Sequence, residues 1–278
     1  MDKQYKNLVF SGTNLFFINY IGIIKELEDT NILDNIKNYY GNSIGGLISL
    51  LIIIGYDSGE LYNLFKSVNL SKFINIDENH IFSLINNLGM NSHINLKKYI
   101  TKLIKKKSYN IKTLTFNELH KLTNKDLNLV CTNITTETIE LLNKKNNPNM
   151  LIIDAILITM TLPLYFEPYK YNNNLYIDCT ISNNFPINYC NIEETIGILC
   201  NNININKQMN EITTFVDYLL IILIRIIQNN NYTSYINNNN IILIHEINQL
   251  QFNITKKEYK KLYNNGIKLM KDFLQNNK

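Results

Sequence analysis

One short stretch restricts the fold of this chain more than any other: Gly41-Asn42-Ser43-Ile44-Gly45-Gly46, set between two apolar runs. Residues 36–40 read as a buried strand, and residues 47–54 form an apolar run of helical character. A serine flanked by glycines two positions away on each side, at a strand-to-helix junction, reads as a nucleophile elbow. Small residues let the chain reverse without Cβ clashes and leave the hydroxyl exposed at the turn. The following helix directs its N-terminal amides and positive dipole end toward developing negative charge.

The composition makes these glycines more telling. Asn fills about one position in six, Ala155 is the single Ala and Arg225 the single Arg. Residues with AT-rich codons are in excess over average usage, as mutation pressure in an AT-rich genome would produce. Glycine and proline persist against that drift, so the positions that keep them carry information.

The rest of the chain supports an α/β reading. Residues 8–10 form a strand ended by Ser11-Gly12, and residues 18–28 show helical spacing. This βαβα order predicts a mostly parallel central sheet flanked by helices. Asp57 and Glu60 form a capping box for the next helix. A further helix over 94–107 ends in Lys105-Lys106-Lys107, a solvated basic helix end that suits the negative pole of the dipole. Residues 127–131 and 138–142 pair as a hairpin, and 144–149 form a polar loop. A helix over 154–160 stops before Pro163. Strands follow at 175–177, 195–199 and 241–247, with an Asn-rich surface loop over 229–240. Thr255 and Glu258 cap a last helix whose apolar side is Tyr259, Leu262, Ile267, Met270, Phe273 and Leu274. No repeat or linker interrupts residues 1–278, so a single domain is expected.

Several function classes drop out. A net charge of +4 spread along 278 residues gives no electrostatic footprint for nucleic acid. Cys131, Cys179, Cys190 and Cys200 make no C-x-x-C pair and sit among apolar residues, which predicts free thiols. No His, Asp and Glu cluster has metal-ligand spacing, so neither metal nor cofactor is implied. The N-terminus lacks a secretory signal, and the apolar run 215–227 is too short to span a bilayer. A cytoplasmic or peripheral-membrane location follows.

Ser43 needs a base. Of the four histidines, only His245 falls late enough for a Ser–Asp–His order, and it lies inside an apolar strand. The elbow also comes after only two strands, too early for an α/β-hydrolase. Asp178 ends the strand 175–177, where open α/β sheets place their sites. On spacing alone it serves equally well as a turn former.

Together these segments resemble the patatin-like phospholipases. The matching segments are Leu8 to Gly12, the helix beginning Ile21-Gly22-Ile23, and the elbow. Thr115-Phe116-x-Glu118-Leu119 and Leu129 to Asn133 resemble the middle strand region. The stretch through Pro163, Phe166, Pro168, Asp178 and Asn183-Asn184-Phe185-Pro186 is the most specific. The resemblance implies a three-layer patatin-like fold and a Ser43–Asp178 dyad. It also implies an oxyanion hole of backbone N–H groups at Gly12, Thr13 and Asn14, with Gly41 and Gly45 shaping the elbow. It further implies a phospholipid or other acyl-ester lipid as substrate, cleaved through an acyl-enzyme, and it allows peripheral membrane contact. The departures lie around the dyad. Gly12-Thr13-Asn14-Leu15-Phe16-Phe17 keeps only the first glycine of the family's loop, and Phe16 stands where a basic residue is usual. Cys179 follows Asp178 in place of Gly. Two functional readings result: a lipid acyl hydrolase, or an impaired member that binds lipid or partners because Phe16 and Phe17 fill the oxyanion space.

Overall fold

The computed structural model describes residues 4–67, 80–202, 232–246 and 254–277, with residues 219, 222, 223 and 226 besides. Most of the apolar run 215–227 lies outside the described residues.

The strands are β1 (Asn7–Phe10), β2 (Asn38–Gly41), β3 (Gly89–Asn91), β4 (Asp126–Asn133), β5 (Thr138–Leu142), β6 (Leu164–Phe166), β7 (Tyr169–Tyr171), β8 (Asn174–Asp178), β9 (Thr195–Asn202) and β10 (Ile241–Glu246). The helices are α1 (Ile18–Asp29), α2 (Ile44–Ile53), α3 (Ser58–Ser67), α4 (His80–Asn87), α5 (Ile94–Lys106), α6 (Phe116–Thr123), α7 (Ile152–Thr159), α8 (Thr233–Ile236) and α9 (Lys256–Asn276).

The main sheet runs β10-β9-β1-β2-β4-β8-β7, with β5 also on β4. Its first five strands are parallel, and β8, β7 and β5 add antiparallel pairing at the far side. β3 pairs with β6 in a separate two-stranded sheet. Parallel strands buried on both faces should be continuously apolar. β1 is buried at all four positions, and α2, which follows the elbow, is buried at all ten. A helix with no polar face belongs between a sheet and other helices. Ile24 and Leu27 of α1, Leu47 to Ile54, and Ile152 to Ile158 fill that layer. The last helix, α9, crosses α1 so closely that a Cβ on Gly266 would stand 2.0 Å from the Asn19 carbonyl oxygen.

The expected elements are present with shifted ends. The capping boxes form at both predicted places: Glu60 N–H donates to Asp57 Oδ1 (2.7 Å) and Asp57 N–H to Glu60 Oε2 (3.2 Å), and Thr255 and Glu258 cap each other in the same way. Two readings need correction. Residues 115–119 are not strand-like, because the Thr115 hydroxyl accepts Glu118 N–H and starts α6. Nor is the described part of the Asn-rich stretch merely a surface loop. It folds into α8, and Asn240 is buried with its amide on the Ile192 carbonyl (2.7 Å).

Candidate active site

The site forms where β2 ends and α2 begins. Ser43 has φ 53° and ψ −125°, outside every region that an L-residue adopts without strain. The flanking glycines make that turn possible. A Cβ on Gly41 would lie 2.5 Å from the Gly46 nitrogen, and one on Gly45 would lie 2.6 Å from the Ser11 carbonyl oxygen. Helix and strand therefore touch backbone to backbone, and Ser43 is lifted out of the turn. Its amide donates to Thr159 Oγ1 (3.0 Å) at the end of α7, and that hydroxyl in turn donates to the Val130 carbonyl of β4 (2.8 Å). The elbow is thus braced by two further elements.

Asp178 ends β8, opposite Cys131 of β4, and is completely buried. Its Oδ1 receives Asn42 Nδ2 (2.9 Å) and Thr180 N–H (2.7 Å), and also the Thr180 hydroxyl. Its Oδ2 is buried with no partner at normal hydrogen-bond geometry. Burial pushes the carboxyl above the ordinary carboxylate range. The polar groups of Thr180, Ser43 and Asn42 around it oppose that push. The Ser43 side chain is thus near enough to Asp178 to act on its charge, although it makes no hydrogen bond of normal geometry to Oδ2.

Asn42, the residue between Gly41 and Ser43, is the hub. Besides Asp178, its amide reaches Asn184 Oδ1 (3.0 Å) and Thr180 Oγ1 (3.1 Å). Asn184 then holds the third segment of the site. Its carbonyl accepts Gly12 N–H (3.0 Å), and its Nδ2 donates to the Gly12 carbonyl (2.8 Å). Gly12 leaves no room for a side chain there: a Cβ would meet Asn184 Oδ1 at 2.3 Å. The Tyr232 hydroxyl accepts Asn184 N–H (2.7 Å) from behind.

The Gly12 amide donates to the Asn184 carbonyl, and the amides of Thr13 and Asn14 follow it in the same loop. The loop beyond does not need a left-handed turn. Asn14 has φ −87°, and its side chain accepts Phe16 N–H (3.1 Å), starting a 3-10 turn over Leu15–Phe17 that leads into α1. Phe17 is 2% exposed and its ring meets Phe65 of α3 edge-on, with centroids 4.8 Å apart. Phe17 therefore fills core rather than the oxyanion space. Phe16 also packs partly against that core.

The histidines separate clearly. His245 lies exposed on β10, the edge strand, and His120 pairs with Asp126 at the start of β4. His93, which the spacing gave no reason to single out, lies near the site. Its Nε2 meets Thr161 Oγ1 (2.9 Å), and the Thr161 carbonyl accepts Asp178 N–H (2.8 Å). Burial, with Lys97 adding repulsion, lowers its pKa to about 4, so the ring is neutral. Asn42, Thr159 and Thr180 were also missed as site residues. Their only sequence signal is adjacency to the elbow, to Pro163 and to Asp178.

Comparisons with known proteins agree with this architecture. The chain is 28% identical over 285 residues to the uncharacterised protein R571 of Acanthamoeba polyphaga mimivirus, covering 97% of this chain and 94% of that one. It is 32% identical over 186 residues to the probable lipid hydrolase 463L of Invertebrate iridescent virus 6, covering 66% of this chain and 63% of that protein. Among solved structures, VipD from Legionella pneumophila superposes with a TM-score of 0.66 at 15% identity, over 99% of this chain and 67% of VipD. ExoU from Pseudomonas aeruginosa, solved with SpcU, gives 0.59 at 14% identity, over 99% of this chain and 53% of ExoU. At such identities the likeness is one of fold. The family model of the patatin-like phospholipases matches residues 8–190, and the chain belongs to that family.

Proposed function

We propose that the chain, taken as one catalytic unit, is a lipid acyl hydrolase working through Ser43 and Asp178. Ser43 Oγ attacks the carbonyl carbon of an acyl ester as Asp178, through its unpartnered Oδ2, takes the hydroxyl proton. The tetrahedral oxyanion is held by the amides of Thr13 and Asn14 and by the positive end of α2. Collapse expels the alcohol, which receives the proton from Asp178 and leaves an acyl group on Ser43. Water, deprotonated by the same carboxylate, then releases the fatty acid and restores the serine. The family membership and the lipid-hydrolase name of the iridescent-virus relative support the substrate class.

The observation that carries this reading is the buried carboxylate with one oxygen saturated and the other left over, beside a serine held at φ 53°. A base whose pKa is raised from the carboxylate range accepts a proton more readily near neutral pH. The alternative, an impaired lipid-binding member, rested on Phe16 and Phe17 filling the oxyanion space. The burial of Phe17 against Phe65 removes half of its support.

The test is hydrolysis of a phospholipid and of a short-chain acyl ester, with mass spectrometry after an alkyl fluorophosphonate. Wild type should turn over ester and gain one phosphonyl adduct on Ser43. Ser43→Ala should lose the adduct and at least ~10⁴-fold of the rate. Absence of Ser43-dependent turnover on both substrates would overturn the reading.

A further inference from the structure

Helix α4 turns large apolar side chains to water. Phe82 is 72% exposed and Ile85 67%, and Leu88, three residues further on, is 59% exposed. Spacing of three aligns them along one side of the helix and its exit. Leu88 also has φ 63°, a conformation that Asn or Gly takes at lower cost. In a chain so rich in Asn, a leucine at a strained and water-exposed corner is costly twice over. Ile94, 60% exposed, opens α5 three residues after β3. Large apolar side chains grouped in this way mark an interaction surface.

The charge pattern says what kind. From residue 80 to residue 117 the chain carries seven Lys and no Asp or Glu. Lys107 is taken by Glu60 (2.6 Å) and Lys97 approaches Asp154 (3.6 Å). Lys98, Lys102 and Lys105 are exposed and have no ion-pair partner among the described residues. Lys98 stands four residues after Ile94 and Lys102 eight, so they share its side of α5, about 6 and about 12 Å along the axis. Apolar side chains at one end of a helix with lysines behind them match the acyl and phosphate layers of an anionic bilayer.

This surface is joined by short contacts to the segment whose backbone holds Asp178. β3 pairs Gly89 with Leu164 of β6, and Asn91 Nδ2 donates to the Tyr165 carbonyl (2.9 Å). His93, between β3 and α5, meets Thr161, whose carbonyl fixes Asp178. We propose that α4, Leu88 and the first turns of α5 form the docking face for an anionic lipid bilayer. Phe82, Ile85, Leu88 and Ile94 enter the acyl layer, and Lys98 and Lys102 meet the phosphates. The inference rests on the lipid-hydrolase reading for its purpose but can fail separately from it.

The experiment is vesicle co-sedimentation of the full chain carrying Ser43→Ala, so that lipid is not consumed. Vesicles are phosphatidylcholine alone, or with roughly 30% phosphatidylserine. Binding should require the anionic lipid and weaken with salt. Phe82→Asp with Ile85→Asp should lower it at least ~10-fold at unchanged melting temperature. Lys98→Glu with Lys102→Glu should abolish the preference for phosphatidylserine. In the Ser43 background, the Phe82 and Ile85 changes should spare a water-soluble ester while lowering vesicle hydrolysis. Failure of wild type to bind anionic vesicles overturns the proposal. So does a self-association that the double substitution abolishes while vesicle binding persists. If binding behaves as expected but no ester is hydrolysed, the hydrolase reading falls and the docking face stands.

Discussion

The two segments that meet at Ser43 are built on opposite principles. The elbow is strained and polar. Ser43 is held at a positive φ by backbone packing at Gly41 and Gly45, and Asn42, Asp178, Thr159 and Thr180 form a buried hydrogen-bond network beneath it. The Gly12–Phe17 segment has no positive φ at its non-glycine residues and is apolar from Leu15 onward. It turns as a 3-10 helix and anchors itself by Leu15 and Phe17 in the core. Strain persists only where surrounding structure over-determines it, and here the backbone packing at Gly41 and Gly45 does so. In this chain Asn14 caps the turn that leads into α1, and Gly12 keeps the close approach to Asn184.

The sharpest way to break the comparison is to remove the charge from the polar side. Asp178→Asn should lower turnover by about 10³-fold or more, since no base remains. Stability should move the other way. Asp178 has its pKa raised in the fold, so its contribution is favourable below the unfolded carboxylate value and is lost as pH rises through the folded value. At neutral pH the buried charge is a burden, and the Asn variant should melt higher than wild type while losing activity. A variant that loses both would mean that the network needs the charge for folding. In wild type, activity should fall as the pH is lowered through that same raised value. Asn42→Ala removes a donor that lowers it, so the acid limb should move to higher pH.

On the other side, Thr13→Pro deletes one candidate oxyanion amide. A loss of about 10²–10³ in kcat with KM little changed would place that amide at the developing charge. An unchanged kcat, with circular dichroism showing an intact fold, would mean that this loop does no electrostatic work.

What the sequence could convey follows from this contrast. The elbow was legible because backbone-to-backbone packing demands glycine at 41 and 45, whereas the strand end at Asp178 suited a turn former equally well and only the family resemblance singled it out. The parallel sheet was legible from apolar runs punctuated by turns. Asn42 was not, because in so Asn-rich a chain one more asparagine carries no signal, and its role depends on meeting residues 178, 180 and 184 across the fold. Phe17 misled for a related reason. Its place beside Gly12 suggested obstruction, and only the three-dimensional position of Phe65 gives it a core partner. The short strands β3 and β6 escaped notice because three residues hold too little pattern to read.

Phe17 offers a further test of the division of labour. Its truncation to Ala should cost about 3–5 kcal/mol of stability through the lost ring and the cavity left against Phe65. Measured below its lowered melting point, kcat should stay within about tenfold of wild type, because the ring serves the core. A collapse of kcat with stability preserved would return Phe17 to the site and favour the impaired-member reading.

The smallest expected effect separates two groups that titrate in opposite senses near one carbonyl. His93 has its pKa lowered to about 4 against 6.5 for the free ring, so it is neutral in the fold. Its contribution is present above pH 6.5 and is lost as the pH falls toward about 4, because the unfolded chain gains a proton that the buried ring refuses. Asp178 acts with the contrary sign, since protonating it relieves a buried charge. Wild type should therefore show a shallow dependence of melting temperature on pH in the acid range. His93→Asn keeps a polar group near Thr161 but cannot titrate, so its melting temperature should hold or rise where the wild type falls. Asp178→Asn should fall more steeply than wild type. If the two variants give parallel curves, burial is not what sets these charges. The contrast between a charged, strained elbow and its neutral surroundings would then fail at its electrostatic root.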